Sequence, residues 1–351
     1  MAVTMQDIAR DLKVSVVTVS KVLRNQGSIS AATRERVLQR VKELNYQPNW
    51  IARSLVTRRT YTIGLLLPDF MHSFFAEIAK RVADAVRPDG YHVVVSYFEE
   101  DPVLERTEAE FLLSRQVDGV IVASSQSSGQ IDVFEGIRKH NVPLVLIDRA
   151  VEGVRASFVG SDNAAMGELA TEHLIDLGCR RIAHLRGPHL GIAEDRLAGF
   201  RSALKKRAIP LQPNWILDAG YDDNTGYHAM QKILQRSAPI PDGLFCYNDP
   251  VAIGAMRAIF EAGLNVPDDI AVVGAGNVHY SDALAVPLTT LDQGTSEIGK
   301  LAAELLLQQI SSKQSPPPKT VLVQPRLVIR QSTQRTQKSR IAIVPSSAVG
   351  L

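Results

Sequence analysis

TMQDIARDLKVSVVTVSKVL, residues 4–23, contains two short helical patterns joined by a tight turn. Thr4 can cap the first helix, and Asp7, three residues later, supplies the acid of a capping box. Apolar residues then recur at helical spacing up to a two-residue turn, after which Ser15 can cap a second helix. This order predicts a helix-turn-helix.

The second helix would bury one face and expose another of mixed chemistry. Val19, Val22 and Leu23 recur on the buried side. The other side carries apolar, hydroxyl and basic side chains suited to base edges and phosphates, namely Val16, Val17, Thr18, Ser20 and Lys21. Taken alone, the stretch fits a plain N-terminal helical bundle equally well.

A third helix pattern and a short linker follow. Ser30 can cap the helix AATRERVLQRVKEL, which completes a small all-α domain over residues 1–47. The next segment, residues 48–60, has room for about two turns of helix, which is below the length that persists alone in water. Its composition by itself fits a plain linker.

Basic charge is concentrated at this end of the chain. Residues 1–60 hold eleven lysine and arginine residues against four aspartate and glutamate residues, although the whole chain carries only +2. The remainder is therefore mildly acidic. A basic end on such a chain indicates a local nucleic-acid surface.

The expected compartment is a reducing cytoplasm. Cys179 and Cys246 are too few and too far apart in sequence to indicate a disulfide framework. Polar residues interrupt the apolar residues at the N-terminus, and no apolar stretch is long enough to cross a membrane. We therefore expect no signal peptide and no membrane partner.

Strand and helix patterns alternate from residue 61 onward. Buried-strand patterns such as TIGLLLP precede amphipathic helix patterns such as FFAEIAKRVADAV. The alternation predicts an α/β body of two doubly wound parallel-sheet lobes, with a cleft at the carboxyl ends of the strands. We expect lobe one to span about 61–161 and 293–320, lobe two about 162–292 and 321–335, and a disordered tail to follow over 336–351.

Four motifs together resemble the lactose-repressor (LacI/GalR) family. They are T-x-x-D-I-A, V-S-x-x-T-V-S, T-R-x-R-V and Y-x-P-N-x-x-A-R-S-L, in this order and followed by the α/β body. The resemblance extends from about Thr4 to Thr333. It implies an N-terminal helix-turn-helix domain, a periplasmic-binding-protein-like body, and a homodimer that binds pseudo-palindromic double-stranded operator DNA.

The resemblance assigns DNA contacts to the helix starts, the second helix and a hinge helix at 48–60. The residues implied are Thr4, Ser15, Val16, Val17, Thr18, Ser20, Lys21, Arg24, Ser30, Thr33, Asn49, Ala52, Arg53 and Leu55. Leu55 stands where the family inserts a leucine into the minor groove.

The resemblance also implies a small-molecule effector, a sugar or sugar derivative, bound between the lobes. Nine residues match the family's ligand positions: His72, Phe74, Phe75, Asp148, Arg149, Arg196, Tyr221, Asn248 and Gln293, with Asp222 as an alternative to Tyr221. Their polar groups suit sugar hydroxyls, and their aromatic faces suit sugar C–H groups. Each also has a structural interpretation as a helix cap or core residue, and Arg196 and Asn248 are the strongest ligand candidates.

One position departs from the family pattern. The family commonly has V-V-G-F-D-D where this chain has VVGAGN, so Gly276 takes the place of an aspartate that reaches into the cleft. The missing carboxylate predicts a larger space and a ligand that is bulkier or more anionic than a simple hexose.

The sequence predicts no catalytic site, no metal and no cofactor. H-E-x-x-H, P-loop and G-x-S-x-G motifs are absent, and the eight histidines show no metal-ligand spacing. We therefore predict an effector-controlled transcriptional repressor. Two alternatives stay open: a co-repressor type that responds to a purine or a partner protein, and a sugar-processing α/β enzyme with an incidental N-terminal bundle.

Overall fold

The computed structural model describes residues 3–23, 27–46, 54, 59–126, 131–188, 191–236, 239–312, 314 and 316–335. The chain divides into two compact units, Met1–Thr60 and Tyr61–Leu351. Most of the predicted hinge over 48–60 and all of the predicted tail over 336–351 lie outside the described residues.

The described part of the N-terminal unit includes the helices α1 Met5–Leu12, α2 Val16–Leu23 and α3 Ala31–Glu43. Its buried core joins all three through Ile8, Ala9, Val19, Val22, Val37 and Tyr46. Arg40 of α3 also pairs with Asp11 of α1, with Nη2 2.5 Å from the carboxylate oxygen. The predicted helix-turn-helix domain is therefore confirmed.

The body alternates strands with helices along the described chain. Its helices are α4 Ser73–Val86, α5 Pro102–Ser114, α6 Asp132–Lys139, α7 Asn163–Asp176, α8 Gly191–Lys206, α9 Asp223–Leu234, α10 Asp249–Glu261 and α11 Thr295–Ser311. No described helix is both long enough and apolar enough to span a membrane.

The first lobe is built on a six-stranded sheet in which every pairing is parallel. Its strands are β1 Thr62–Leu67, β2 His92–Tyr97, β3 Gly119–Val122, β4 Leu144–Ile147, β5 Ser157–Ser161 and β11 Thr320–Val323, in the spatial order β11-β5-β4-β3-β1-β2. Ile298, Ala302 and Leu306 of α11 complete the core on one face of this sheet. The late helix α11 is therefore part of the first lobe.

The second lobe repeats the arrangement with an antiparallel edge. Its strands are β6 Ile182–Arg186, β7 Ile216–Asp218, β8 Gly243–Cys246, β9 Ala271–Ala275, β10 Thr289–Asp292 and β12 Arg326–Val328, in the spatial order β12-β10-β9-β8-β6-β7. Only the β10–β12 pairing is antiparallel within the described chain. The predicted α/β body of two mainly parallel, doubly wound lobes is confirmed.

Two details of the sequence prediction are corrected. The chain does not return to the second lobe at residue 321, because Thr320–Val323 pairs in parallel with β5 of the first sheet. Strand β10, Thr289–Asp292, was not predicted, since its sequence TTLD lacks the apolar run of the other buried strands. Three connections therefore join the lobes: β5 to α7, β10 to α11, and β11 to β12.

His184 is an uncommon core residue of β6. Its ring lies between Phe245, with ring centroids 4.7 Å apart, and Phe200, with centroids 5.2 Å apart. Nδ1 is 3.0 Å from the carbonyl oxygen of Phe245, whereas Nε2 is buried without a hydrogen-bond partner among the described residues. Burial lowers the pKa of His184 to about 4, so the ring is neutral in the folded protein.

His184 makes folding stability depend on pH. In an unfolded chain a histidine has a pKa of about 6.5, so between that value and about 4 only the unfolded state takes up the proton. The contribution of the neutral His184 ring to the free energy of unfolding is fully present above about pH 6.5. It is lost as the pH falls, by about 3 kcal/mol in total. Denaturant unfolding at several pH values should show this dependence reduced in His184→Phe.

The exposed residue His228 provides a matched control, because His228→Gln removes a surface imidazole from the same lobe. That variant should retain the wild-type difference in stability between pH 6.5 and pH 4. An identical pH dependence in wild type and His184→Phe would contradict a neutral buried ring.

Candidate functional site

The helix-turn-helix is fixed by short-range hydrogen bonds at its helix ends. Thr4 Oγ1 accepts from the Asp7 backbone N–H at 3.3 Å, and the Asp7 carboxylate accepts from the Thr4 backbone N–H at 3.0 Å. These bonds form the predicted capping box. Lys13 then takes a left-handed conformation with φ 53°, which ends α1 and allows the tight turn.

Helix α2 exposes the face predicted for DNA. Val17 is 60% exposed and Val16 is 38% exposed, while Lys21 is also on the surface. Ser15 caps the helix by accepting from the Thr18 backbone N–H at 3.0 Å. Helix α2 therefore exposes two apolar side chains and a lysine, and the Ser15 cap fixes the start of this helix.

The other predicted DNA residues fall into two groups. Ser30 caps α3 by accepting from the Thr33 backbone N–H at 3.3 Å, and both residues lie at the start of that helix. Thr4, Ser15 and Ser30 thus mark the three helix starts of the unit, and Ser20 is half-buried on α2. Five predicted contacts lie outside the described residues: Arg24, Asn49, Ala52, Arg53 and Leu55.

In the body, one cleft is lined by all nine residues predicted for the effector: His72, Phe74, Phe75, Asp148, Arg149, Arg196, Tyr221, Asn248 and Gln293. Its lining also includes Asp69, Glu100, Ile192 and Tyr247. The empty volume is about 570 Å³, part of which is open to solvent.

The topology explains why these residues meet. Asp148 and Arg149 directly follow strand β4, Asn248 follows β8, and Gln293 follows β10. In sheets of this kind, side chains just past the carboxyl ends of the strands lie at one edge, where ligands commonly bind. Residues from both lobes therefore form the cleft walls.

Arg196 of α8 makes three hydrogen bonds within the cleft. Its guanidinium donates to Asn163 Oδ1 at 2.9 Å, to Gln293 Oε1 at 2.8 Å and to the carbonyl oxygen of Tyr247. The residue is only 3% exposed, and its Cζ lies 4.7 Å from the centroid of the Tyr247 ring. Burial lowers the pKa of Arg196, and nearby Tyr247 and Asp148 oppose that shift.

Arg149 and Asp148 form the opposite wall. Both guanidinium Nη atoms of Arg149 donate to Glu100, at 2.6 and 2.7 Å, in a bidentate pair. Burial alone would lower the pKa of Arg149, but the Glu100 hydrogen bonds and the carboxylates of Glu100 and Asp148 raise it above the ordinary value. Asp148 Oδ2 lies 3.3 Å from Arg149 Nε, but Nε makes no hydrogen bond in the described structure.

Asp148 is a buried carboxylate on an unusual backbone. Its φ is 62°, in the left-handed region that non-glycine residues seldom occupy. Burial raises the pKa of Asp148, while Arg149 and Arg196 lower it. A carboxylate held this way at the cleft wall is suited to accept a hydrogen bond from a ligand hydroxyl.

The Asn248 side chain hydrogen-bonds the backbone of two segments of its own lobe. Its Oδ1 caps α10 by accepting from the Val251 backbone N–H, and its Nδ2 donates to the Tyr221 carbonyl oxygen, both at 2.8 Å. The neighbouring Asp249 is also fully buried and accepts from Ser281 and Thr290. The Asn248 amide is therefore hydrogen-bonded within the protein through both its oxygen and its nitrogen.

Aromatic side chains cover the apolar part of the cleft. Phe74 and Phe75 are buried and packed edge to face, with centroids 5.1 Å apart, and both also belong to the first lobe's core. Tyr221 and Tyr247 lie on the other side, with centroids 6.5 Å apart. His72 caps α4 by accepting from the Phe74 N–H, and burial lowers its pKa.

Gly276 does not open the cleft as predicted from sequence. It is buried outside the cleft lining, and a Cβ there would contact Val278 and Asp249. Its φ of 134° disfavours any side chain. Three carboxylates of the lining, those of Asp69, Glu100 and Asp148, face only two arginines, so the expectation of a bulkier or more anionic ligand finds no support.

Two lining residues with roles in this network were missed by sequence analysis. Glu100 follows β2 and reaches Arg149 only because of its turn conformation, and Tyr247 directly follows β8 as a buried aromatic residue. Their positions just past strand ends were the available signal. No group of three or more metal-binding side chains that could hold an ion occurs among the described residues.

Comparison with known proteins assigns both units. Residues 4–49 match the family of bacterial regulatory proteins known as the lacI family, and residues 171–333 match the periplasmic binding protein-like domain. The chain is 36% identical to the ribose operon repressor of Halalkalibacterium halodurans, covering 97% of this chain and 99% of that protein. It is 31% identical to the transcriptional repressor PurR of Actinobacillus pleuropneumoniae, covering 95% and 99%.

Solved structures extend the similarity to the fold of nearly the whole chain. A lac repressor dimer bound to operator and the anti-inducer ONPF has a TM-score of 0.83 at 29% identity, covering 95% of this chain and 100% of that one. The regulator CelR in complex with cellobiose has a TM-score of 0.71 at 29% identity, covering 94% and 99%. With full-length relatives above 30% identity and both units matched, the chain belongs to the lacI family of bacterial regulatory proteins.

Proposed function

We propose that this protein is a transcriptional repressor that binds operator DNA through its helix-turn-helix and responds to a small carbohydrate-like effector in the body's cleft. The observation that carries the proposal is the cleft, in which hydroxyl-binding and aromatic residues from both lobes converge on one space. The relatives are repressors of a ribose operon or of the PurR type, which supports the same conclusion.

The DNA-binding part follows from the exposed face of α2. Val16 and Val17 offer apolar contacts to thymine methyl groups, and Lys21 offers a cation to a guanine edge or a phosphate. The helix starts at Thr4, Ser15 and Ser30 present backbone N–H groups that suit phosphates. In a homodimer, two copies of α2 would read the two halves of a pseudo-palindromic operator, and hinge helices over 48–60 would enter the minor groove between them.

The effector part follows from the chemistry of the walls. Asp148 supplies a carboxylate whose positively charged neighbours are arginines. Arg196 retains guanidinium N–H groups beyond its three hydrogen bonds. Four aromatic rings of the lining offer apolar faces. This combination binds vicinal hydroxyls and sugar C–H groups. We place the protein in the cytoplasm and assign it no catalytic step and no cofactor.

The proposal is tested by operator binding titrated with small molecules. The full-length protein is used to select duplexes from a random pool, and its affinity for the selected operator is then measured with sugars, sugar acids and nucleobases. A sugar should change the affinity, downward for an inducer and upward for a co-repressor. Failure to select any sequence would refute the regulator, and turnover of a sugar would favour the enzyme alternative.

DNA affinity should depend steeply on salt, because the basic N-terminal unit neutralises phosphates and releases counterions. We expect the logarithm of affinity to fall with the logarithm of salt concentration with a slope of about 4 to 9 in magnitude for a dimer, from about 0.9 per contacted phosphate. Fluorescence anisotropy across a salt series measures it. A slope near zero would contradict the proposed DNA interface.

Replacing Val17 with Gln should change the base pair preferred at one symmetric operator position by about 1–3 kcal/mol, since an apolar contact is exchanged for a hydrogen-bonding group. Binding to a library of single-base operator variants measures the change. The matched replacement Lys21→Ala should weaken binding to every sequence alike if Lys21 contacts only phosphate. Unchanged preferences in both variants would mean that α2 presents a different face to DNA.

Replacing Arg196 with Lys should lower effector affinity about tenfold or more, because the ammonium group cannot reproduce the planar fork of donors. Calorimetry with the sugar found in the titration measures the loss. Arg201→Lys is the control, since Arg201 is exposed on the same helix. Equal sugar affinity in the two variants would place the effector elsewhere.

A further inference from the structure

Glu100 occupies the donor fork of a cleft arginine. The two carboxylate oxygens accept from the two Nη atoms of Arg149 at 2.6 and 2.7 Å, and the Arg149 side chain is only 9% exposed. Nη1 also lies 3.4 Å from the carbonyl oxygen of Ser124. The part of Arg149 that would best bind a phosphate or carboxylate group is therefore already bound by the protein's own acid.

The backbone is shaped to bring Glu100 to this position. Glu99 and Glu100 both have positive φ, 52° and 59°, and the Asp101 N–H closes the turn on the Phe98 carbonyl oxygen at 2.8 Å. Two consecutive non-glycine residues in the left-handed region are uncommon, and such conformations concentrate at functional sites. The side chain of Glu99 is exposed, whereas that of Glu100 lines the cleft.

Carboxylates outnumber guanidinium groups in the cleft lining, where Asp69, Glu100 and Asp148 accompany Arg149 and Arg196. Asp148 lies beside Arg149, and Asp69 lines the same cleft. An anionic group entering the cleft would meet these carboxylates, and it would have to displace Glu100 to reach the Nη atoms. A neutral hydroxyl meets no such repulsion, because a carboxylate oxygen can accept a hydrogen bond from it.

We propose that Glu100 is a specificity-determining residue that restricts the cleft to uncharged ligands by occupying the Arg149 fork. The inference rests on the proposed function in taking this cleft as the effector site, and it specifies the ligand class: neutral sugars bind, whereas sugar phosphates and sugar acids are rejected. The discrimination arises because the Glu100 carboxylate repels an anionic ligand and occupies the arginine donors that this ligand would need.

The test uses inorganic phosphate as the probe and requires neither operator nor effector. Full-length Glu100→Gln removes the charge and leaves one donor of the fork without an acceptor, because the amide nitrogen cannot accept. Phosphate should bind this variant at least about tenfold more tightly than wild type by calorimetry, and should raise its thermal unfolding temperature. Adding Arg149→Met to Glu100→Gln should abolish the gain.

Glu99→Gln is the matched control, since it makes the same charge change at the adjacent residue, on the same kind of backbone, with an exposed side chain. It should bind phosphate as weakly as wild type does. Equal phosphate affinity in Glu100→Gln and Glu99→Gln overturns the proposal, and so does tight phosphate binding by wild type.

A second variant covers the case in which Glu100→Gln does not fold. Glu100→Asp keeps the charge but shortens the side chain by one methylene, so it should loosen the pair and give a smaller gain in phosphate affinity that is again absent from Glu99→Gln. No gain in this variant would also overturn the proposal. The operator selection does not use the Glu100 variants or phosphate. Its failure would count against the proposed regulatory function, whereas failure of the phosphate assays would count against the role of Glu100 alone.

Discussion

The buried guanidinium of Arg196 is the interaction on which the cleft and the connections between the lobes both depend. Asn163 begins α7, directly after the connection from β5, and Gln293 lies in the connection from β10 to α11. Arg196 donates a hydrogen bond to each of these two side chains. Ser161 closes the set by donating to the Gln293 carbonyl oxygen at 2.8 Å. Removing a charged group of this kind from water is costly unless its donors are satisfied, and the network satisfies three of them. A ligand that binds Arg196 therefore acts on the group that holds two lobe connections together.

Backbone packing places this guanidinium. Helices α7 and α8 approach so closely that a Cβ on Gly167 would lie 2.0 Å from the Arg196 carbonyl oxygen, and one on Gly199 would lie 2.0 Å from that of Ala164. Only glycine permits contact at this distance. The two glycines therefore fix the position of α8, and with it the position of Arg196 at the cleft. The buried Asp249 has a corresponding role in the same lobe, where its hydrogen bonds hold the loop after β9 and leave Asn248 to cap α10.

The parts of the structure that depend on local interactions were predictable from sequence. The helix caps at Thr4, Ser15 and Ser30 are bonds between residues three apart, and the parallel strands are continuous apolar runs. Long-range pairing was less accessible: β10 was missed, and Thr320–Val323 was placed in the wrong lobe because its partner, β5, lies far away in sequence.

The cleft shows the same division between local and long-range information. Its nine predicted residues came from the resemblance to a family, since spacing alone left each of them equally suited to a core or capping role. The partners that define what those residues do were not visible in the sequence. Glu100 depends on an unusual turn, and the engagement of Asn248 depends on a contact with Tyr221 across the lobe.

The proposed regulation requires that effector binding in the cleft and operator binding by the N-terminal unit share one equilibrium, and thermodynamic linkage tests this requirement. The affinity of the full-length protein for its sugar effector is measured by calorimetry twice, without DNA and with saturating operator. Because coupling between two binding sites is reciprocal, the ratio of the two sugar affinities should equal the factor by which the sugar changes operator affinity. The same sugar affinity with and without operator would contradict the account.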